Sequence, residues 1–201
     1  MIDTKSALRP RPRVEGDRQE EILRATVDVL IELGYDRLTM DAVAAAAKAS
    51  KATLYRRWSS KAELVVDAVQ RSCVVPAEVD TGSLRGDLIK MSCGVGGLTD
   101  DIPMSVTAGL MTALHRDADL QRAFQERFLA PRLALVDTVY RRAMERGEVP
   151  PGADVELLAQ ALPAIVVHRS FVLGVPADPD YVERVVDHII LPAARACGGA
   201  V

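Results

Sequence analysis

Residues 38–65 read LTMDAVAAAAKASKATLYRRWSSKAELV, and the fold turns on how this stretch divides between inside and outside. Thr39 is a good N-cap for a short Ala-rich helix over 40–47, with Met40, Val43 and Ala47 on one face. Residues 48–50 make a turn. Ser50 caps a second helix over 51–58, and Ser60 with Glu63 forms a capping box that opens another helix at Lys61. Within 51–58, Leu54 and Trp58 lie four apart and share a face, so they belong to the core. Lys51, Ala52, Thr53, Tyr55, Arg56 and Arg57 are left for the outside. Two short helices joined by a three-residue turn, the second cationic on its outer side, have the form of a helix-turn-helix.

On the N-terminal side, Asp17 and Glu20 open a helix over about 18–33 with the stripe Leu23, Val27, Leu30, closed by Gly34 at the C′ position. Before it, RPRPRVEGDR at 9–18 has two prolines and alternating Arg9, Arg11 and Arg13, an extended arm. On the C-terminal side a helix runs from Lys61 to about Ser72, followed by the Pro- and Gly-punctuated 76–83. Leu84, Leu88, Met91, Val95 and Leu98 then mark an amphipathic helix ending near 99–103. Further helices follow over about 104–114, 117–146 with a bend at Pro131, 155–173 and 180–196. The pattern divides into a basic arm over 1–16, a helix-turn-helix domain over 17–72 and an all-α region over 73–201.

The totals agree with an all-helical globular protein: 201 residues, 49% apolar, 26% charged and only 4% aromatic. No 18-residue run is free of charge and the N-terminus lacks an apolar leader, so the expectation is a cytoplasmic protein with no membrane partner. Cys73, Cys93 and Cys197 are far apart and His115, His168 and His188 lack metal-ligand spacing, which predicts buried thiols and neither a metal nor another cofactor. The triplet Gly94, Gly96, Gly97 follows no strand, which argues against a phosphate loop. Residues 1–72 hold thirteen Lys/Arg against eleven Asp/Glu, whereas the rest hold twelve against seventeen. Screening acts over about 8 Å at physiological salt, so the local cations outweigh a distant acidic surplus.

The outward residues have chemistry to match a duplex. Lys51, Thr53 and Arg56 can reach guanine or adenine edges, and the Ala52 methyl can meet a thymine methyl. Tyr55, Arg57, Thr39 and Lys61 flank the helix, the last two at helix N-termini that favour phosphate. The arginines of the arm suit a narrow minor groove, or the arm is a tail without consequence.

The same run resembles the DNA-binding domain of TetR/AcrR-type transcriptional regulators: a threonine opening the second helix, Ser-Lys-x-Thr-Leu-Tyr in the third, and a lysine with an acidic residue and leucine opening the fourth. The resemblance covers about residues 14–72. It implies phosphate contacts from Thr39, Tyr55 and Lys61 and base-proximal roles for Lys51, Ala52, Thr53 and Arg56. Lys48 stands where the family has a turn glycine, and adds a cation near the DNA.

For the C-terminal region the resemblance implies a homodimer through the last two helices and an inducer pocket in the middle ones. The helices near 155–173 and 180–196 carry excess apolar surface, which fits a four-helix seam. Met91, Met104, Met111, Phe124 and Phe128 are candidates to line a pocket for a small apolar or amphipathic effector, or are plain core. His168 or Arg169 would orient a polar group on that ligand, or His168 is an interface histidine. The function read from these features is a sequence-specific regulator released from a palindromic operator by a small molecule. A DNA binder without effector control is the alternative. A helical-bundle enzyme is the weakest, since no nucleophile elbow, metal motif or useful carboxylate pair occurs.

Overall fold

The structure is a computed structural model that describes residues 15–72, 78–92 and 102–196, and every regular element among them is a helix. α1 (Glu15–Arg37) is broken at Gly34, with φ 72° and ψ 165°. The helix proper therefore stops where the C′ glycine was expected, because a residue without Cβ enters that region at no steric cost. α2 (Met40–Ala46) starts on Thr39, whose Oγ1 accepts the Ala42 N–H at 3.1 Å. It ends with the Lys48 N–H on the Ala45 carbonyl at 3.1 Å and the Ala49 N–H on the Ala44 carbonyl at 2.8 Å, a Schellman motif.

α3 (Lys51–Tyr55) is capped by Ser50, and α4 (Lys61–Ser72) by Ser60, whose Oγ accepts the Glu63 N–H at 3.2 Å. α3 is shorter than the predicted 51–58. The Arg57 N–H bonds only three residues back, to the Leu54 carbonyl at 3.0 Å, which tightens the last turn.

These four helices share one core with α6 (Met104–Leu114) and α7 (Ala118–Ala123). Leu30, Leu54, Trp58, Leu64 and Val65 are at most 1% exposed there, and Leu110, Ala113, Leu120 and Ala123 complete the cluster from beyond the linker. A boundary in sequence near residue 72 is thus crossed by packing. The second core joins α5 (Leu84–Ser92), α8 (Ala130–Glu145), α9 (Val155–Val167), α10 (Pro179–Val185) and α11 (Leu191–Ala196). Fully buried Asp87 accepts the Thr81 N–H at 2.6 Å and the Thr81 hydroxyl at 2.7 Å, so its desolvation is met by donors. Arg85 ties α5 to α10 through Glu183 at 2.9 Å and to the turn just after α10 through Asp187 at 2.7 Å.

Where the sequence predicts a bend at Pro131, a π-helical turn, Phe124–Leu129, stands between α7 and α8. Proline lacks an N–H and its ring crowds the carbonyl four residues back, and a widened turn just before it relieves both. The same solution recurs before Pro192, where the π-helical turn Val186–Ile190 links α10 to α11. A third, His168–Val172, extends α9. Of the helix expected over 84–98, α5 supplies the part to Ser92. Val95, Leu98, the 94–97 glycines and all three cysteines lie outside the described residues.

Val155–Val172, although charged, is long and apolar enough by length and composition to cross a membrane, with mean hydropathy 1.3 and only 22% of it buried. Its apolar character is not uniform around the axis. Leu158, Leu162 and Val166 pack into the second core, whereas Leu157, Val167 and Val172 are exposed on the other side. An apolar face of this kind is what a second protein surface covers.

Candidate nucleic-acid interface

α3 divides as its sequence dictates. Leu54 is 0% and Trp58 1% exposed, and the Trp58 Nε1–H donates to Asp67 Oδ2 on α4 at 2.8 Å, so the indole is anchored at both its apolar body and its polar edge. Lys51, Ala52, Tyr55, Arg56 and Arg57 are exposed, and Arg56 and Arg57 have no partner among the described residues. The two arginines are therefore free to meet an anion without breaking an existing contact.

Other candidate residues are engaged. Lys51 Nζ pairs with Asp41 at 2.7 Å, a hydrogen bond that holds its ammonium above the ordinary lysine range. Thr53 is half-buried and its hydroxyl lies 2.8 Å from Ser50 Oγ, turned back onto the helix cap it was expected to leave. Thr39 is exposed but its Oγ1 serves α2. Lys61 is half-buried, donates to the Tyr35 carbonyl at 3.2 Å and sits 4.3 Å above the Tyr35 ring. Arg9, Arg11 and Arg13 lie outside the described residues.

Lys48, in the turn, is exposed and has φ 50°, the left-handed region that favours glycine. Its carbonyl accepts from Arg18 Nη2 at 2.7 Å, which ties the turn to α1. The strained conformation presents a cation beside α3 where glycine would present nothing.

A polar junction binds the reading helices to the rest. Tyr35 Oη donates to Asp117 Oδ2 at 2.7 Å, and Arg127 reaches Glu63 at 3.2 Å and Asp67 at 3.1 Å. Asp117 is held below the ordinary carboxylate range by the Leu120 N–H and then the Tyr35 hydroxyl. Glu63 is lowered mainly by the Ser59 N–H, at 2.8 Å, with help from Arg127. Asp67 thus joins Trp58 of the α3 end to Arg127, whose neighbour Phe128, packed against the first core, faces an interior shared with the second.

That interior holds a cavity of about 650 Å³. Met91, Met104, Met111, Phe124 and Phe128, picked out from sequence, all line it, and the two rings stack at 4.7 Å. His168 and Arg169 do not line it. His168 is exposed, and Arg169 stacks over Tyr181 at 3.9 Å and donates to the Pro176 carbonyl at 2.9 Å. The polar groups on the wall are instead Ser92, Arg132, Tyr140, Glu156, Gln160 and Ser170. Three of the lining residues were legible: Arg132, Val136 and Tyr140 continue the four-residue step of Phe124 and Phe128.

A capped helix-turn-helix with free cations on its second helix, fused to a helical body with a cavity, defines a DNA-binding transcriptional regulator. Residues 22–68 match the family described as bacterial regulatory proteins, tetR family, and residues 78–189 match the tetracyclin repressor-like C-terminal domain. The chain is 37% identical over 201 residues to an HTH-type transcriptional regulator of Mycobacterium tuberculosis, covering 98% of each. It is 37% identical over 180 residues to the DNA-binding transcriptional repressor TetR of Mycobacteroides abscessus, covering 89% of this chain and 94% of that one. The crystal structure of a TetR family transcription regulator superposes with TM-score 0.65 at 31% identity, over 87% of this chain and 97% of that one. The chain belongs to the TetR family and acts as a DNA-binding regulator of transcription, not as an enzyme.

Proposed function

We propose that two copies of this chain bind a palindromic operator as a repressor, and that a small apolar or amphipathic molecule entering the cavity releases them. The observation that carries the reading is the outer face of α3, where Arg56 and Arg57 stand free above a fully buried Leu54 and Trp58. Arg56 with Lys51 and Ala52 would read base edges, Thr53 after turning from its cap, while Thr39, Lys48, Tyr55, Arg57 and Lys61 would hold phosphates. Lys51 must leave Asp41 and Lys61 must leave Tyr35 to do so. A homodimer through the last two helices is supported by exposed Leu157, Val167, Val172 and Ile189 on the segments expected to form the seam. It sets the two α3 helices about one turn of DNA apart, about 34 Å. A protein working on chromosomal DNA in a bacterium works in the cytoplasm.

Release would use the Phe128, Arg127, Asp67, Trp58 series. A ligand that repositions the π-helical turn pulls on α4 through Arg127 and so on α3, and shifts operator affinity only by its preference between the two arrangements. The cavity favours this over DNA binding without effector control. Selection of bound fragments from random DNA, read for an inverted repeat, tests the whole reading: an inverted repeat is expected, and recovery of unrelated sequences would defeat it. Asp67→Asn is expected to keep operator binding while reducing the response to any effector.

A further inference from the structure

Between Leu38 and Ala62 the chain carries five cations and a single acidic residue, Asp41. The acidic residue lies in the first turn of α2, and its two carboxylate oxygens are each 2.7 Å from Nζ of Lys51, the first residue of α3. Among the described residues Lys51 is the one cation of the turn and α3 that holds a carboxylate, since Lys48, Arg56 and Arg57 hold none. A lone negative charge beside the side chains that meet a polyanion needs a reason.

The side chains of Lys51 and Asp41 are 62% and 60% exposed, so the pair stands in water, where such pairs are weak and open readily. While it is closed, the ammonium shields the carboxylate from the phosphates. When Lys51 turns to a guanine edge, the carboxylate is left bare at a point that the lysine tip itself reaches. An ionised carboxylate accepts hydrogen bonds and donates none, so on a duplex it is satisfied only by an amino group. In the major groove those groups are N4 of cytosine and N6 of adenine, whereas guanine and thymine present acceptors that repel it. A first-turn carboxylate also complements the α2 dipole, but that role is indifferent to the sequence of the DNA.

We infer that Asp41 is a specificity-determining residue: in each half-site its carboxylate accepts a hydrogen bond from the exocyclic amino group of one cytosine or adenine, at or beside the base pair that Lys51 contacts. The inference rests on the reading of Lys51 as a base contact. It makes the α2–α3 pair a two-part reader, in which the cation selects an acceptor and the carboxylate it uncovers rejects every neighbouring base without a donor.

The test selects bound fragments from random DNA in parallel with the full wild-type chain and its Lys51→Ala, Asp41→Ala and Asp41→Asn variants, and reads the preference at every position. Lys51→Ala is expected to lose a guanine preference at one position of each half-site. Asp41→Ala should lose a preference of about tenfold for cytosine or adenine at the same or an adjacent base pair, with the other positions unchanged. Asp41→Asn keeps the shape of the side chain but adds a donor, so it should admit guanine or thymine there. Asp41→Ala should also bind random DNA more tightly, through relief of repulsion, and so narrow the gap between operator and random sequence. If Lys51→Ala alters a position while neither Asp41 variant alters any, or if Asp41→Ala tightens operator and random DNA alike, the inference falls and the reading of Lys51 stands. If Lys51→Ala alters no position, that reading fails and takes the inference with it.

Discussion

Around Trp58 the side chains leave no room: the indole, Leu54 and Leu64 are at most 1% exposed, and the one indole donor is met by Asp67. Around Tyr140 the same kind of helical packing encloses a cavity of about 650 Å³ lined mostly by apolar side chains. The first arrangement holds α3 to one orientation, which is what reading a fixed sequence of base edges demands. The second leaves contacts unmade, which gives a ligand something to complete. The difference teaches that one chain divides rigid presentation from adaptable reception by how fully each core is filled, with α6 and α7 packed on the filled one.

Truncations break the comparison most directly. Trp58→Ala should cost about 3–5 kcal/mol and abolish operator binding, because nothing near the vacated volume can collapse into it. Phe128→Ala, on a wall that already faces free volume, should cost about 1–2 kcal/mol. Chemical denaturation of both variants checks this, and equal losses would mean that the cavity wall is packed as fully as the surroundings of Trp58. Overpacking sharpens it from the other side. Ala62→Leu, at a position 1% exposed in the first core, should cost about 1–3 kcal/mol. Ala159→Leu, facing the cavity, should be neutral or stabilising while weakening any ligand.

On the DNA side, Arg56→Ala should lose about 1–3 kcal/mol on the operator and relax sequence preference. Lys61→Ala should weaken every sequence alike and lower the salt slope by about one. Fluorescence anisotropy over a salt series separates the two, and parallel losses on all sequences would refute the division into base and phosphate contacts. Lys48→Gly should raise stability by about 1 kcal/mol through relief of the left-handed backbone, yet weaken DNA binding by removing a cation. The smallest effect is that of acid. Glu63 and Asp117 are both lowered in the folded chain, so what they contribute is present above the usual carboxylate range and lost as pH falls through their lowered values. Thermal midpoints measured downward from pH 5 should fall, and Glu63→Gln should flatten the fall.

Where side chains point along a helix was legible because one period governs it. The caps Thr39, Ser50 and Ser60 and the Gly34 stop all follow from local hydrogen bonding and helical spacing. The outward placement of Arg169 was not, because it is set by Tyr181 and the Pro176 carbonyl, which a later segment brings to it. Nor was the pairing of Lys51 with Asp41 or of Lys61 with Tyr35, which depends on two segments meeting.

By itself the sequence determined the helices, their caps, the inward pair Leu54 and Trp58 and the cationic face opposite them, since each depends on neighbours within a few residues. Only the tertiary structure decided that α6 and α7 close the first core, that Asp67 serves both Trp58 and Arg127, and that a cavity stays open where the two cores meet. Volume and hydrogen-bond satisfaction are properties of many segments at once, and no local pattern records them.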